Sequence, residues 1–155
     1  TLLLIISRKV IKDEIIKKAL SFGIGVVEVS EIDKINILNA SILAMHKAIS
    51  QLKISPDFLL IDGNRFHPYL SIPHETIVKG DAKFQSIAAA SILAKTHRDY
   101  LMNCLHQKTP GYDWKTNKGY PTLKHRRALQ NLGISIHHRK TFRLFAVNSQ
   151  LNLFN

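Results

Sequence analysis

The 155-residue sequence is poor in cysteine and has no long hydrophobic run. Its one cysteine, Cys104, cannot form an intramolecular disulfide, and the lack of a cysteine cluster argues against a zinc site. The apolar run over residues 1–7 is too short to span a bilayer, and it lacks the basic flank and cleavage site of a signal peptide. We therefore expect a cytoplasmic protein in which Cys104 has a packing role.

Acidic residues are also scarce, which gives the chain a strongly basic character. Eleven Asp and Glu residues face 22 Lys and Arg residues, a net charge of +11. Between Lys108 and Arg143 there are nine basic residues and one acid. Such a region provides sequence-independent affinity for phosphates, and Tyr112, Trp114 and Tyr120 lie among its cations as candidate stacking platforms. The region predicts nucleic-acid binding, with a merely solvated surface as the alternative.

Hydrophobic periodicity predicts a single α/β domain over residues 1–155. Apolar residues recur at three- and four-residue spacing between Ile35 and Leu52, which marks one face of a long helix. The continuous run Phe58–Ile61 is typical of a strand that is buried on both faces. We predict helices over 8–20, 35–52, 85–102, 122–132 and about 140–151, strands over 25–29, 58–61 and 76–78, and a loop over 110–121.

Two aspartates are the candidate catalytic and metal-binding residues. Asp62 and Asp81 each come after a short apolar strand and each lies beside a glycine. Carboxylates at neighbouring strand ends can converge on Mg²⁺ or Mn²⁺, the ions that handle phosphates. The alternative is a simple turn, since Asp-Gly is a common turn dipeptide. The metal hypothesis requires the two carboxylates to lie at adjacent strand ends.

Several motifs occur in the order found in ribonuclease HII, the bacterial type 2 ribonuclease H. The chain resembles that family from about residue 7 to about residue 145. The segments that carry the resemblance are 31–40, Leu60–Asn64, Val78–Asp81, Ile87–Lys95 with Arg98 and Asp99, 118–122 with His125, and His137–Phe142.

The resemblance implies a ribonuclease H-like mixed sheet flanked by helices, with a basic, helical C-terminal region over about residues 104–155. It implies a monomeric endonuclease that uses Mg²⁺ or Mn²⁺ to hydrolyse the RNA strand of RNA–DNA hybrids. Such an enzyme also cuts at ribonucleotides embedded in duplex DNA and leaves a 5′-phosphate. Asp62 and Asp81 match two of the family's four carboxylates, and Tyr120 matches a tyrosine that packs on the sugar at the RNA–DNA junction. The alternative interpretation of Tyr120 is a buried loop tyrosine. Lys118 and Asn64 are further candidate substrate contacts.

The sequence departs from the family pattern at its N-terminal end. The family's other two carboxylates form an Asp-Glu pair that is followed closely by Gly-Arg-Gly, and no Asp-Glu pair with that sequel occurs here. Asp13-Glu14 is instead interpreted as a solvated helix face. We therefore expect missing N-terminal strands, an unpaired edge on Phe58–Ile61 that residues 2–6 replace at most in part, and impaired cleavage. The alternative function is a non-catalytic, basic nucleic-acid-binding remnant of the fold.

Overall fold

The computed structural model describes residues 2–142, with side chains from Arg8 onward. The chain forms two compact units. The first contains the residues up to Val27 together with Leu38–His97, and the second contains Glu28–Ile37 together with the chain from Arg98 onward. Two helices contribute residues to both units, and each unit is described separately below.

The first unit begins with helix α1, Leu2–Lys18. The prediction of a helix from residue 8 was therefore right in type but late in start, and residues 2–6 do not form a substitute strand. Glu14 forms ion pairs with Lys17 at 3.6 Å and with Lys18 at 3.5 Å, at exposed i,i+3 and i,i+4 positions. Asp13-Glu14 thus lies on a solvated helix face, as predicted.

Helix α2, Val29–Ile49, is broken at Asn36, whose φ of 66° and ψ of 168° are non-helical. Its C-terminal part belongs to the first unit and buries Ala40 and Ile42. On the predicted apolar face, Ile42 is buried and Met45, Ile49 and Leu52 are half-buried, whereas Leu38 is 39% exposed.

Residues 19–28 form no regular element, so the predicted strand over 25–29 is wrong. Gly23 and Gly25 lie directly against α2, where a Cβ at Gly25 would collide with the carbonyl oxygen of Ala44. The side-chain amide of Gln51 pairs with both backbone groups of Ile24, each at 3.1 Å. The backbone of Ile24 is therefore paired with a side chain of the first unit and not with a neighbouring strand.

Strands β1, Leu59–Asp62, and β2, His74–Ile77, form a parallel pair. Leu59 is opposite His74 and Asp62 is opposite Ile77. Leu59 and Ile61 are buried, whereas Phe58 is 50% exposed. The prediction of burial on both faces is therefore wrong, because the strand alternates. Within residues 2–142 the sheet has two strands, so β1 pairs on one side, as expected.

Helix α3, Gln85–Lys108, follows the sheet and buries Ile87 and Leu93. It continues past the predicted end at Met102 because the next residues include no glycine or proline before Pro110.

The second unit is built around a small aromatic core. The predicted loop over 110–121 contains a 3₁₀ turn, Pro110–Tyr112, and a short helix α4, Trp114–Asn117. Helix α5, Leu123–Leu132, agrees with the prediction and is capped by the Thr122 hydroxyl, which accepts from the His125 N–H at 3.2 Å. Tyr112, Trp114 and Leu129 form the core.

The described part of the predicted last helix, residues 140–142, is a turn and a bend, and the remainder lies outside the described residues. Among the described helices, none combines the length and the apolar character that a membrane crossing requires.

Candidate active site

Asp62 is the last residue of β1, and its carboxylate is fixed to the turn that follows β2. Its Oδ1 accepts a hydrogen bond from the Gly80 N–H at 2.9 Å. The Gly63 N–H continues the ladder by donating to the Ile77 carbonyl at 2.9 Å. The ends of the two parallel strands are therefore joined, and the Asp62 carboxylate lies next to the residue that precedes Asp81.

A side chain at Gly80, in the turn after β2, would have to displace the end of the Ile87 side chain. A Cβ there would lie 2.6 Å from Cδ1 of Ile87 and 3.4 Å from Oδ1 of Asp62. Lys79, which precedes it, has a left-handed φ of 56°. Gly80 was not among the predicted site residues, although it lies in the Lys-Gly-Asp motif that contains Asp81.

Asp81 lies in a 3₁₀ turn, Gly80–Ala82, and not directly at the end of β2. It is exposed, as is Asp62. Asp81 lines a surface depression whose other walls are Arg8 of α1 and one face of α3, contributed by Ala88, Ser91, Ile92 and Lys95. The α3 residues recur at three- and four-residue spacing, the pattern that could have identified Lys95 as facing this depression.

The donor set at this edge fits a hard divalent cation. Asp62 and Asp81 offer carboxylate oxygens, and within the described chain no group of three or more His, Cys, Asp or Glu residues could hold an ion. Mg²⁺ is commonly bound by one or two carboxylates, with waters and substrate phosphates completing its shell. Asn64, the third predicted residue near this edge, is exposed and follows Gly63, whose φ is 113°.

Two of the three predicted stacking platforms are wrong. Tyr112 and Trp114 are 8% and 3% exposed, because they pack with His125 and His138 in the core of the second unit. Burial, together with the neighbouring His125, lowers the pKa of His138 to about 4.

Tyr120 is the remaining aromatic platform, and it is 66% exposed. The alternative of a buried loop tyrosine is therefore wrong. It follows Lys118 and Gly119, whose φ values of 51° and 83° are both left-handed. Lys118 is half-buried, and its Nζ donates to Asn103 Oδ1 at 2.8 Å. An ammonium group carries three donors, so this bond leaves Lys118 able to contact a phosphate as well.

The basic residues of the second unit are largely available to solvent. Lys124 forms an ion pair with Asp113 at 3.1 Å, which lowers the pKa of Asp113 together with a hydrogen bond from Thr116. Arg126 and Arg127 are exposed on α5. This arrangement fits a face that binds phosphates through many weak, salt-sensitive contacts.

Comparisons with known proteins show the family to which the chain belongs. The sequence profile described as "Ribonuclease HII" matches residues 2–145. The chain is 56% identical over 146 residues to ribonuclease HII of Phocaeicola vulgatus, and the matched residues cover 94% of this chain and 73% of that protein. It is 57% identical over 146 residues to ribonuclease HII of Bacteroides thetaiotaomicron, with 94% and 72% covered.

The fold is also similar to that of a solved structure. Ribonuclease H2 from Pyrococcus horikoshii OT3 superimposes with a TM-score of 0.76 at 21% identity, over 95% of this chain and 76% of that one. This likeness shows an α/β ribonuclease H-like fold, as the sequence predicted. The chain belongs to the ribonuclease HII family, the hydrolases that act as endonucleases on the RNA of RNA–DNA hybrids.

Proposed function

We propose that hydrolysis takes place at the edge where β1 and β2 end, with Asp62 and Asp81 as ligands of Mg²⁺ or Mn²⁺. The observation that carries this proposal is the bond from the Gly80 N–H to Asp62 Oδ1, which brings one carboxylate beside the turn that holds the other. When bound, such an ion supplies Lewis-acid polarisation and charge neutralisation at the scissile phosphate.

The cationic walls of the depression support a phosphodiester beside Asp81. Arg8 and Lys95 line the same depression as this carboxylate, together with the hydroxyl-bearing Ser91. Two cations next to an acid can hold the backbone phosphate while the acid faces the reacting group. Neither Asp62 nor Asp81 forms an ion pair within residues 2–142, so both remain available to a divalent cation.

We propose that the substrates include single ribonucleotides embedded in duplex DNA as well as RNA–DNA hybrids. Recognition of one ribonucleotide depends on contact with its 2′-hydroxyl and sugar. The exposed ring of Tyr120 supports a sugar contact of that kind, and the exposed Asn64 and half-buried Lys118 support further contacts with substrate.

Manganese binding tests the metal proposal without relying on turnover. Free Mn²⁺ is measured by electron paramagnetic resonance in titrations of the parent chain, Asp62→Asn, Asp81→Asn and the control Asp57→Asn. Asp57 is an exposed carboxylate that precedes β1, so the control removes the same charge. We expect each site variant to weaken Mn²⁺ binding at least tenfold, about 1.4 kcal/mol, and the control to leave it unchanged. Equal affinity in all four proteins would refute the proposed ligands.

Cleavage of a labelled duplex with one embedded ribonucleotide separates the enzyme from its alternative. These 155 residues contain two of the four carboxylates that the family pattern implies, and ligands that act as a unit fail together. We expect the polypeptide of these residues to cleave several orders of magnitude more slowly than a version that carries a family Asp-Glu-x-Gly-Arg-Gly segment ahead of Arg8.

Asp62→Asn in the grafted version should remove the recovered activity, and a graft that binds duplexes but never cleaves would favour a non-catalytic binding protein. Robust cleavage by the ungrafted chain would mean that another residue replaces the missing pair.

A further inference from the structure

The turn that carries Tyr120 has an unusual backbone. Lys118, the residue that follows α4, is in the left-handed region at φ 51° and ψ 28°. Gly119 comes next, at φ 83°. A left-handed conformation is unfavourable for lysine by roughly 1 kcal/mol, so the surrounding contacts must hold it. The direction in which the Tyr120 side chain leaves the turn depends on these two residues.

The inner side of the turn is held by Asn117, which is 4% exposed. Its Oδ1 accepts from the Gly119 N–H at 2.8 Å, and its carbonyl oxygen accepts from the Tyr120 N–H at 2.8 Å. Its Nδ2 donates to the Tyr112 carbonyl at 2.7 Å. Asn117 therefore connects the turn to the aromatic core of the second unit.

The outer side of the turn is held by two residues of α3 that also belong to the second unit. Arg98 Nη2 donates to the Lys118 carbonyl at 3.0 Å, and Lys118 Nζ donates back to Asn103 Oδ1 at 2.8 Å. The guanidinium also lies close to Gly119, where a Cβ would approach Nη2 to 3.1 Å. Lys118 is thus bonded to α3 through both its backbone carbonyl and its side chain. The bond from Arg98 is strengthened by the charge of the guanidinium.

We propose that Arg98 is a positioning residue that, together with Asn103, holds the Lys118–Gly119 turn so that Tyr120 is presented to the sugar of a bound ribonucleotide. The inference rests on the proposed contact of Tyr120 with substrate. Arg98 acts through the backbone and does not itself touch the substrate. Its loss leaves the bond from Asn117 Nδ2 to the Tyr112 carbonyl in place, so the unit stays folded while the Gly119 and Tyr120 N–H bonds open more often.

Amide hydrogen exchange tests whether Arg98 and Asn103 hold the turn. We expect Arg98→Ala to reduce the protection of the Gly119, Tyr120 and Thr122 amides. Asn103→Ala should have a smaller effect, and Arg98→Lys should restore part of the protection because lysine retains a cationic donor. Arg127→Ala is the matched control, because Arg127 is an exposed arginine of the same unit and its substitution removes the same charge. Unchanged protection in Arg98→Ala would overturn the proposal.

Binding selectivity tests the link to Tyr120. Affinity is measured by fluorescence anisotropy, without divalent cations, for an all-DNA duplex and for the same duplex with one ribonucleotide. We expect Tyr120→Ala and Arg98→Ala to lower the ratio of the two affinities by a similar factor, Arg98→Lys to recover part of it, and Arg127→Ala to weaken both affinities equally.

The two measurements distinguish failure of this inference from failure of the proposed function. If Tyr120→Ala lowers the ratio and Arg98→Ala does not, the positioning role of Arg98 is wrong while the contact of Tyr120 stands. If Tyr120→Ala leaves the ratio unchanged, the proposed contact of Tyr120 with the sugar is wrong. The positioning role of Arg98 is then wrong as well, whatever the exchange data show.

Discussion

The buried imidazole of His138 should make the stability of the protein depend on pH in a specific way. His138 is 5% exposed, and its Nδ1 accepts from the Ser135 N–H at 3.0 Å. Its ring lies 4.7 Å from that of Trp114 and 5.3 Å from that of His125. Because Nδ1 is an acceptor, the neutral ring carries its proton on Nε2, which has no partner within the described residues.

Protonation of this ring is unfavourable in the folded state. It would place a charge in the core beside His125 and remove the acceptor of the Ser135 N–H, and the pKa of His138 is accordingly lowered from 6.5 to about 4. The unfolded chain takes up the proton at the ordinary pKa. Stability is therefore constant above the unfolded pKa, falls as the pH is lowered from 6.5 towards 4, and levels off below that for this group. The loss amounts to about 2 kcal/mol between neutral pH and about pH 5.

Urea unfolding, followed by the fluorescence of the one tryptophan, Trp114, measures this effect. The free energy of unfolding of the parent chain is compared with those of His138→Gln and of the control His137→Gln at neutral pH and at about pH 5. His137 is exposed, so its substitution removes a histidine without changing the core. We expect His138→Gln to lose about 2 kcal/mol less than the parent on acidification, whatever its stability at neutral pH. Equal losses in the parent and in His138→Gln would refute the reasoning.

Two further predictions concern the basic face and the break in α2. Charge reversal of Lys124, Arg126 and Arg127 should reduce the slope of log K against log salt for duplex binding by about 1 to 3, and an unchanged slope would place the phosphates elsewhere. Asn36 has φ 66° and ψ 168°, a region that glycine adopts with little strain, so Asn36→Gly should exceed Asn36→Ala in the free energy of unfolding by about 1 kcal/mol. Urea unfolding measures this difference, and the reverse order would refute the argument from the backbone conformation.

The sequence predicted the elements whose signals are local. The end of β1 was predicted because an apolar run is followed by Asp62-Gly63. The helix predicted over 122–132 agrees with α5, which the Thr122 side chain caps and which Gly133 ends. Both signals act within a few residues, through turn conformation and capping. These two signals do not depend on residues that are distant in the sequence.

The wrong predictions concern residues whose partners are distant along the chain. A strand over 25–29 was expected from β-branched residues, but the backbone of Ile24 pairs with Gln51 instead. Tyr112 and Trp114 were expected at the surface because cations surround them in sequence, whereas His125 and His138 enclose them in the fold. Local composition carries no information on which residues return to cover a given aromatic ring.

The candidate metal site depends on the register of the strand pair, which spacing in the sequence does not reveal. Asp62 is opposite Ile77, and this register brings its carboxylate to the Gly80 N–H in the turn that holds Asp81. Successive side chains of a strand point to opposite faces, so a slip of one residue would turn Asp62 and Leu60 towards the buried face and Leu59 and Ile61 away from it. Burial of Leu59 and Ile61 opposes that slip, because it would expose both side chains. The same apolar residues that stabilise the first unit therefore determine the face on which Asp62 can bind a cation.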